Sequence, residues 1–404
     1  MRILQINNKI VNPPADGGAR LVLNHTMGLL AHGHEVKFLA VNASRNHIEE
    51  KDIPTDYLRD VAHESVEMDT RLKPLPALWA LLTGKSYHVT RFEGKAFSSA
   101  LEKTLRQRQP DVVEITHAFM GGYVPLIRKF SKAPIVLKAQ NVEYRIWEKL
   151  TEHEQNPARK FYLRKATQAL RRFESDLLQK VDGVLPLTRT DSETFVQMGC
   201  TKPQLVIPMG WDFSGSEPWF RDNAAAEVNA YHLAAMDWQP NEEAMRWFLH
   251  DVWPLILRRF PDHAFHCAGR KMPDWVAQGK FDNVRITGEV NKPYEWVSDK
   301  NVMIVPLLSG SGIRAKILEA MALGKLVIST PLGADGIEGR DREHFLLAST
   351  PAEFAEAYEW AVNHPAERRQ VALAGRKLMQ ERYSMEACAA SASRFYQSLM
   401  EHRP

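Results

Sequence analysis

The stretch at residues 301–329, NVMIVPLLSGSGIRAKILEAMALGKLVIS, limits the fold more than any other part of the chain. Residues 302–308 form a nearly unbroken apolar run, as a strand buried on both faces of a parallel sheet requires. Gly310, Ser311 and Gly312 break that run. A helix is predicted from about Ile313, with Ile313, Ile317, Ala320 and Met321 on one face. Gly324 is placed to stop the helix, and residues 326–329 read as the next strand. The whole is one βαβ unit of an α/β protein.

Such a turn has a chemical use. A glycine-containing loop that feeds a helix N-terminus presents unpaired backbone N–H groups and the positive end of the helix dipole, which suits a phosphate or diphosphate. Arg314 and Lys316 add full positive charge within the first turn. Glu319, one turn further on, is placed to accept hydrogen bonds from two neighbouring hydroxyls, such as those of a ribose. The same residues also permit a plain strand-to-helix turn with a solvated Lys316–Glu319 pair.

The segment SGSGIRAKILEAMALGKLVISTPLGADGIE resembles the donor-binding signature of glycosyltransferase family 4, which has the GT-B fold. The resemblance implies two Rossmann-like parallel-sheet domains facing a central cleft, with a last helix crossing back to the first domain. It implies that Glu319 binds the ribose of a nucleotide sugar and that the turn from Gly310 to Ile313 holds the diphosphate. Many members carry a second glutamate eight residues before the first. Ser311 stands there in this chain, a departure shared by the branch with a Gly-Ser-Gly-Ile-Arg turn.

The 404 residues suffice for two domains, each with its own core. Hydrophobic residues at 44% and charged residues at 25% describe a soluble globular protein. A formal net charge of +3 gives no reason to expect nucleic acid as a partner. Three cysteines, Cys200, Cys267 and Cys388, point to a reducing compartment without a disulfide framework. Met1-Arg2 leads straight into a short strand, and no apolar stretch approaches the ~20 residues that span a bilayer. A cytoplasmic location is expected, with peripheral contact at the inner face of the membrane as a further expectation.

The first half reads as one domain, residues 1–210. Residues 2–6 form a strand, followed by a loop with Gly17 and Gly18. A helix at 21–30 stops at Gly33, and a second strand follows at 35–41. This opening is similar to that of GT-B enzymes, where the glycine pair lets the backbone approach the donor phosphates. No G-x-G-x-x-G follows the first strand, which argues against a dinucleotide-dependent dehydrogenase. Residues 44–108 are less regular. The segment 75–82, LPALWALL, is expected to be a packed helix, with a membrane-dipping or acceptor-binding loop as the alternative. Tyr87, His88 and Arg91 resemble a segment of the same branch and are acceptor-side candidates.

Strands are predicted at 111–115 and 135–139. His117 and the pair Gln140-Asn141 follow their ends, where open α/β sheets line their ligand crevice. Family members often have histidine where this chain has Gln140, near the transferred sugar. Glutamine can donate to a sugar hydroxyl but cannot take up a proton, so His117 is the candidate to compensate. Residues 157–180 form a basic helical region, read as a solvated face or as a surface for anionic lipid headgroups. Glu174 matches a recurring family position without an assignable role. Further strands are predicted at 181–187 and 204–208, and residues 211–227 read as a linker.

The second half, residues 211–384, repeats the pattern. Strands are predicted at 228–235, 263–269 and 283–288, with a long helix running to about residue 259. Arg270 sits at the end of the second of these strands. By resemblance, Glu289 and Val290 meet the nucleobase through their backbone. Residues 351–402 are helical by pattern with a break at 383–384, and residues 385–404 are the helix expected to pack on the first domain. No Asp-x-Asp and no ligand-type His/Cys spacing is present, so neither a metal nor another cofactor is expected. Helix dipoles with Arg and Lys must then neutralise a leaving diphosphate.

The resemblance therefore implies a retaining, metal-independent glycosyltransferase. Its donor is a nucleoside-diphosphate sugar and its acceptor a glycan or lipid-linked molecule, as in bacterial cell-surface polysaccharide synthesis. A non-catalytic GT-B protein binding nucleotide or glycan, and a sugar-nucleotide epimerase, are the alternatives.

Overall fold

The computed structural model describes all residues except 45, 46, 223–225, 311, 312 and 402–404, and all side chains of those described except that of His153. The chain divides into two compact units, Met1–Gly210 with Met385–Pro404, and Trp211–Ser384.

The first unit holds strands β1 (Arg2–Asn7), β2 (Glu35–Ala43), β3 (Ala62–Met68), β4 (Val112–Ile115), β5 (Ile135–Ala139) and β6 (Gly183–Pro186). They pair in the order β3-β2-β1-β4-β5-β6, every pair parallel. The central strands β4 and β5 are buried along their whole length, which explains why they read as apolar runs. β3 escapes the pattern because it is an edge strand with the sequence AHESVEM, half-exposed along most of its length. The stretch at 204–208 was expected to be a strand. It makes a single bridge, Gln204 to Val184, with hydrogen bonds from Leu205 and Ile207 to β6. Pro203 and Pro208 supply no N–H to a longer ladder.

The first helix, Gly17–Ala31, begins four residues earlier than its apolar periodicity suggests, because the Asp16 side chain accepts from the Ala19 N–H at 2.8 Å. The last helix, Met385–Glu401, packs against it. Gly28 makes that approach possible: a Cβ there would lie 2.8 Å from the Met385 carbonyl oxygen. Beneath this pair, the wholly buried Glu114 carboxylate accepts from Gln5 at 3.1 Å, meets His25 at 2.9 Å and accepts from the Tyr396 hydroxyl. Burial alone would push this carboxyl up, but the His25 imidazole and these hydrogen bonds hold it below its ordinary value.

The second unit holds β7 (Ala230–Leu233), β8 (Phe265–Ala268), β9 (Val284–Gly288), β10 (Val302–Val305), β11 (Leu326–Ser329) and β12 (Leu346–Leu347). Their order is β12-β11-β10-β7-β8-β9, again all parallel. The long helix expected up to residue 259 is Gln239–Trp247, a π turn at Phe248–Val252 and Trp253–Arg259. Pro254, with no N–H to give, sits just past the widened turn. Gly324 takes φ +69° and ends Ala315–Ala322, as the sequence indicates.

Candidate functional site

In each unit, parallel strands bring the loops after their C-terminal ends to one edge of the sheet. In the second unit, the loop after β10 leads through Gly310, at φ +114°, to the helix Ala315–Ala322. Ser311 and Gly312 lie outside the described residues, and Ile313 is half-buried against the core. A Cβ at Gly310 would come within 3.0 Å of the Trp238 ring and 3.3 Å of an Arg314 nitrogen, so glycine is required there. The Arg314 guanidinium lies 5.7 Å from the same ring and is buried. Residue 314 offers the helix no side-chain cap, so the first N–H groups receive no acceptor from that side chain.

Lys316 points back toward the loop after β7. Its ammonium donates to Asn241 Oδ1 at 2.5 Å, and Asn241 in turn donates to the Ala235 carbonyl at 2.8 Å. Burial, with Arg314 adding, lowers Lys316 to about 7, and burial also lowers Arg314. Two cations are thus held close together in a poorly solvated spot, an arrangement that an anion would relieve. His232, on β7, donates from Nδ1 to the Ile304 carbonyl at 2.7 Å, and burial with Lys316 lowers it to about 3. Glu319, half-buried and one turn beyond Lys316, reaches the environment of Tyr231, whose phenol is raised first by burial and then by that carboxylate.

Arg270 and Glu289 are exposed, and Val290 is half-buried. Arg270 follows β8 and shares Asp237 with Lys271, at 3.5 Å and 3.3 Å. Glu289-Val290 follow β9. All four loops leave neighbouring strands at the edge where Gly310 lies.

In the first unit, the loops after β1, β4 and β5 meet. Gln140 is buried and donates to the Thr116 carbonyl at 2.7 Å. Gly18 lies so close that a Cβ would stand 2.6 Å from Gln140 Oε1 and 3.6 Å from Lys9 Nζ. Gly17 has open space around it. Lys9 donates to both carboxylate oxygens of Asp16 at 2.7 Å. His117 Nδ1 accepts from the Phe119 N–H at 3.3 Å, and Nε2 lies 3.5 Å from Glu143. Burial, then Lys9 and Arg91, lower His117 to about 3. A neutral ring whose Nδ1 lone pair is taken carries its proton on Nε2 and has no basic nitrogen left.

Asn141 is exposed and hydrogen-bonds the Glu143 carboxyl, which burial pushes up to about 7. Glu174 now has a task. From the helix Pro157–Lys180 it accepts the N–H groups of Glu143 at 2.9 Å and Tyr144 at 2.7 Å, capping the helix Glu143–His153. Burial, with Glu143 adding, raises it to about 8. Tyr87, His88 and Arg91 stand beside this group. The Tyr87 hydroxyl accepts from the Lys73 N–H at 2.9 Å, and the His88 ring lies 4.0 Å from Trp147. Arg91 lies over Phe92 and 5.9 Å from Phe119, the ring that also contacts His117 and His88.

Sequence reasoning missed Asn241, Trp238, Lys9 and Glu143. Trp238 and Asn241 did carry a readable signal, since the segment at 236–241 is similar to one in family relatives. Among the described residues, no three His, Cys, Asp or Glu side chains converge as metal ligands.

Residues 229–364 match the family described as glycosyl transferases group 1, and residues 16–210 match the glycosyl transferase 4-like domain. Solved structures share the fold. Sucrose-phosphate synthase from Thermosynechococcus elongatus is 16% identical with a TM-score of 0.63, over 100% of both chains. Anabaena HepE in complex with UDP is 12% identical with a TM-score of 0.65, over 98% of this chain and 100% of that one. A variant of S. aureus TarM in complex with fondaparinux, alpha-GlcNAc-glycerol and UDP is 10% identical with a TM-score of 0.59, over 98% and 99%. An uncharacterized 44.6 kDa protein in the cps region of Klebsiella pneumoniae is 24% identical over 161 residues, 37% of this chain. The match spans 41% of that protein's length.

Two parallel six-stranded units with these loops define a glycosyltransferase of the GT-B fold. The chain belongs to the group 1 glycosyltransferases, with a first unit of the family 4 type.

Proposed function

We propose that the chain is a retaining glycosyltransferase that needs no metal. It moves a sugar from a nucleoside-diphosphate sugar to a glycan or lipid-linked acceptor during cell-surface polysaccharide synthesis, in the cytoplasm, with the first unit meeting the membrane. The observation that carries this reading is the Arg314–Lys316 pair beside a glycine turn and a helix start, two cations crowded in a poorly solvated spot where a diphosphate would be stabilised. UDP in the HepE and TarM complexes supports the donor class, the glycan-type ligands of TarM support the acceptor class, and the cps-region relative supports the pathway.

In this reading Glu319 accepts from the ribose hydroxyls, while Gly310 and its neighbours hold the diphosphate. Arg270 reaches the donor from β8, and the Glu289-Val290 backbone meets the base. Gln140 and Asn141 position the sugar, and Tyr87, His88 and Arg91 serve the acceptor. The bond from the anomeric carbon to the diphosphate oxygen breaks, and the acceptor oxygen bonds that carbon on the same face. The acceptor proton passes to the leaving phosphate. The state of His117 supports that route, since its Nδ1 lone pair is occupied and its Nε2 carries the proton.

Thermal-shift titration with UDP-, GDP- and ADP-sugars identifies the donor, and NMR of the product reads its anomeric configuration. Stabilisation by one donor and a retained configuration are expected. A product of inverted configuration overturns the retaining mechanism.

A further inference from the structure

The helix Pro74–Leu82 is turned inside out. Leu75, Leu78, Trp79 and Leu82 recur at the spacing of one helix face, and they are 79%, 51%, 68% and 73% exposed. Leu72, just before the helix, is 70% exposed, and Ala80 is the helix's buried residue. The expected packed helix is therefore a helix with its apolar face in solvent. The second expectation for this segment, contact with a membrane, fits an exposed apolar face of this size.

The charges around that face have one dominant sign. Arg71 and Lys73 precede the helix and Lys85 follows it, all exposed. A cavity of about 350 Å3 beside the helix is lined by Arg71, Lys73, Lys85 and Arg91 against Asp69 and Glu93. Asp69 is already occupied, with Arg71 at 2.8 Å and Lys73 at 2.9 Å, so the cavity keeps a positive excess. The helix Pro157–Lys180 packs against Pro74–Leu82 and adds exposed Phe161, with Arg164 and Lys165 exposed beside it. Apolar side chains ringed by Lys and Arg match the boundary between lipid tails and anionic headgroups.

We infer that Pro74–Leu82 lies in the surface of an anionic bilayer, with Leu75, Leu78, Trp79 and Leu82 among the acyl chains and a lipid headgroup phosphate in the cavity bounded by Arg71, Lys73, Lys85 and Arg91. This rests on the membrane contact proposed above, and it names the surface and the lipid class. It also places Tyr87 and Arg91, the acceptor-side candidates, directly behind the membrane-facing helix.

The test uses the full chain and sedimentation with vesicles of phosphatidylcholine, alone or mixed with phosphatidylglycerol. Binding to the mixed vesicles is expected, and it should weaken with added salt. The exposed pair Leu75→Asp and Trp79→Asp should lower partitioning by about tenfold or more without unfolding the chain, checked by circular dichroism. Lys85→Glu should remove most of the preference for phosphatidylglycerol. Brominated lipid should quench tryptophan emission in the wild type and lose that part of the quenching in Trp79→Phe. Wild-type binding that the Asp pair leaves intact overturns this surface while leaving membrane contact itself standing. Equal binding to both vesicle types overturns the headgroup site. Self-association through Trp79 without vesicle binding overturns both.

Discussion

The two units gather polar side chains at the end of a parallel sheet in opposite ways. The second unit concentrates its chemistry in one loop and helix, where Gly310, Arg314, Lys316 and Glu319 lie within ten residues. The first unit assembles Lys9, Gly18, His117, Gln140, Glu143 and Glu174 from segments far apart in the chain and bonds most of them to neighbours in those loops. The second site crowds two cations into a poorly solvated spot, and the first is built from hydrogen bonds across its loops. Clustered positive charge suits a ligand brought in whole, such as a diphosphate. A hydrogen-bonded network suits shape and positioning.

That contrast can be broken at Lys316. Lys316→Met should lower kcat/KM by about 100-fold, the loss of a charge-assisted contact to a diphosphate in a poorly solvated site. Its pH dependence sharpens the point. The folded value of about 7 lies below the ordinary 10.5, so the unfolded chain holds this proton more tightly. The buried ammonium therefore opposes folding in full below pH 7, and the penalty fades as pH rises toward 10.5. Donor affinity should fall as pH climbs through 7, because the diphosphate selects the charged form. Lys316→Met should raise the Tm at pH 6, and calorimetry at two pH values checks both signs.

Glu319→Ala should weaken nucleotide binding by about tenfold and leave folding intact. The readout is specific: discrimination between UDP and its 2′-deoxy form should disappear with the carboxylate. Unchanged discrimination would remove the ribose contact. A smaller effect is expected in the first unit. Glu174→Ala leaves the N–H groups of Glu143 and Tyr144 without their acceptor and should cost about 2 kcal/mol of stability. Denaturant unfolding measures that loss, and donor affinity should not move with it. Smallest of all, on the metal-independent reading proposed above, with Arg314 and Lys316 supplying the charge, EDTA should leave the transfer rate unchanged.

The same difference explains what could be read from the sequence. The loop after β10 was legible because strand, turn, cations and carboxylate are consecutive, and the central strands were legible because burial on both faces writes an apolar run. Edge strand β3 carries no such run. The cap supplied by Glu174 joins residues 31 and 30 positions apart, and no local pattern records it. Asn241 lies in the first turn of the helix Gln239–Trp247, and no local pattern records its bond to Lys316, 75 positions away. The segment at 75–82 misled for a related reason: periodicity shows that a helix has an apolar face, but not which way that face turns.

The helix Met385–Glu401 belongs to the unit that the chain begins, and its Tyr396 reaches the buried Glu114 there. During synthesis the opening domain therefore waits with a bare flank, while the whole second domain emerges and can fold. The part translated first is the part completed last. A truncation before Met385 would strip the covering from Ile3, Val36, Val112 and Val136.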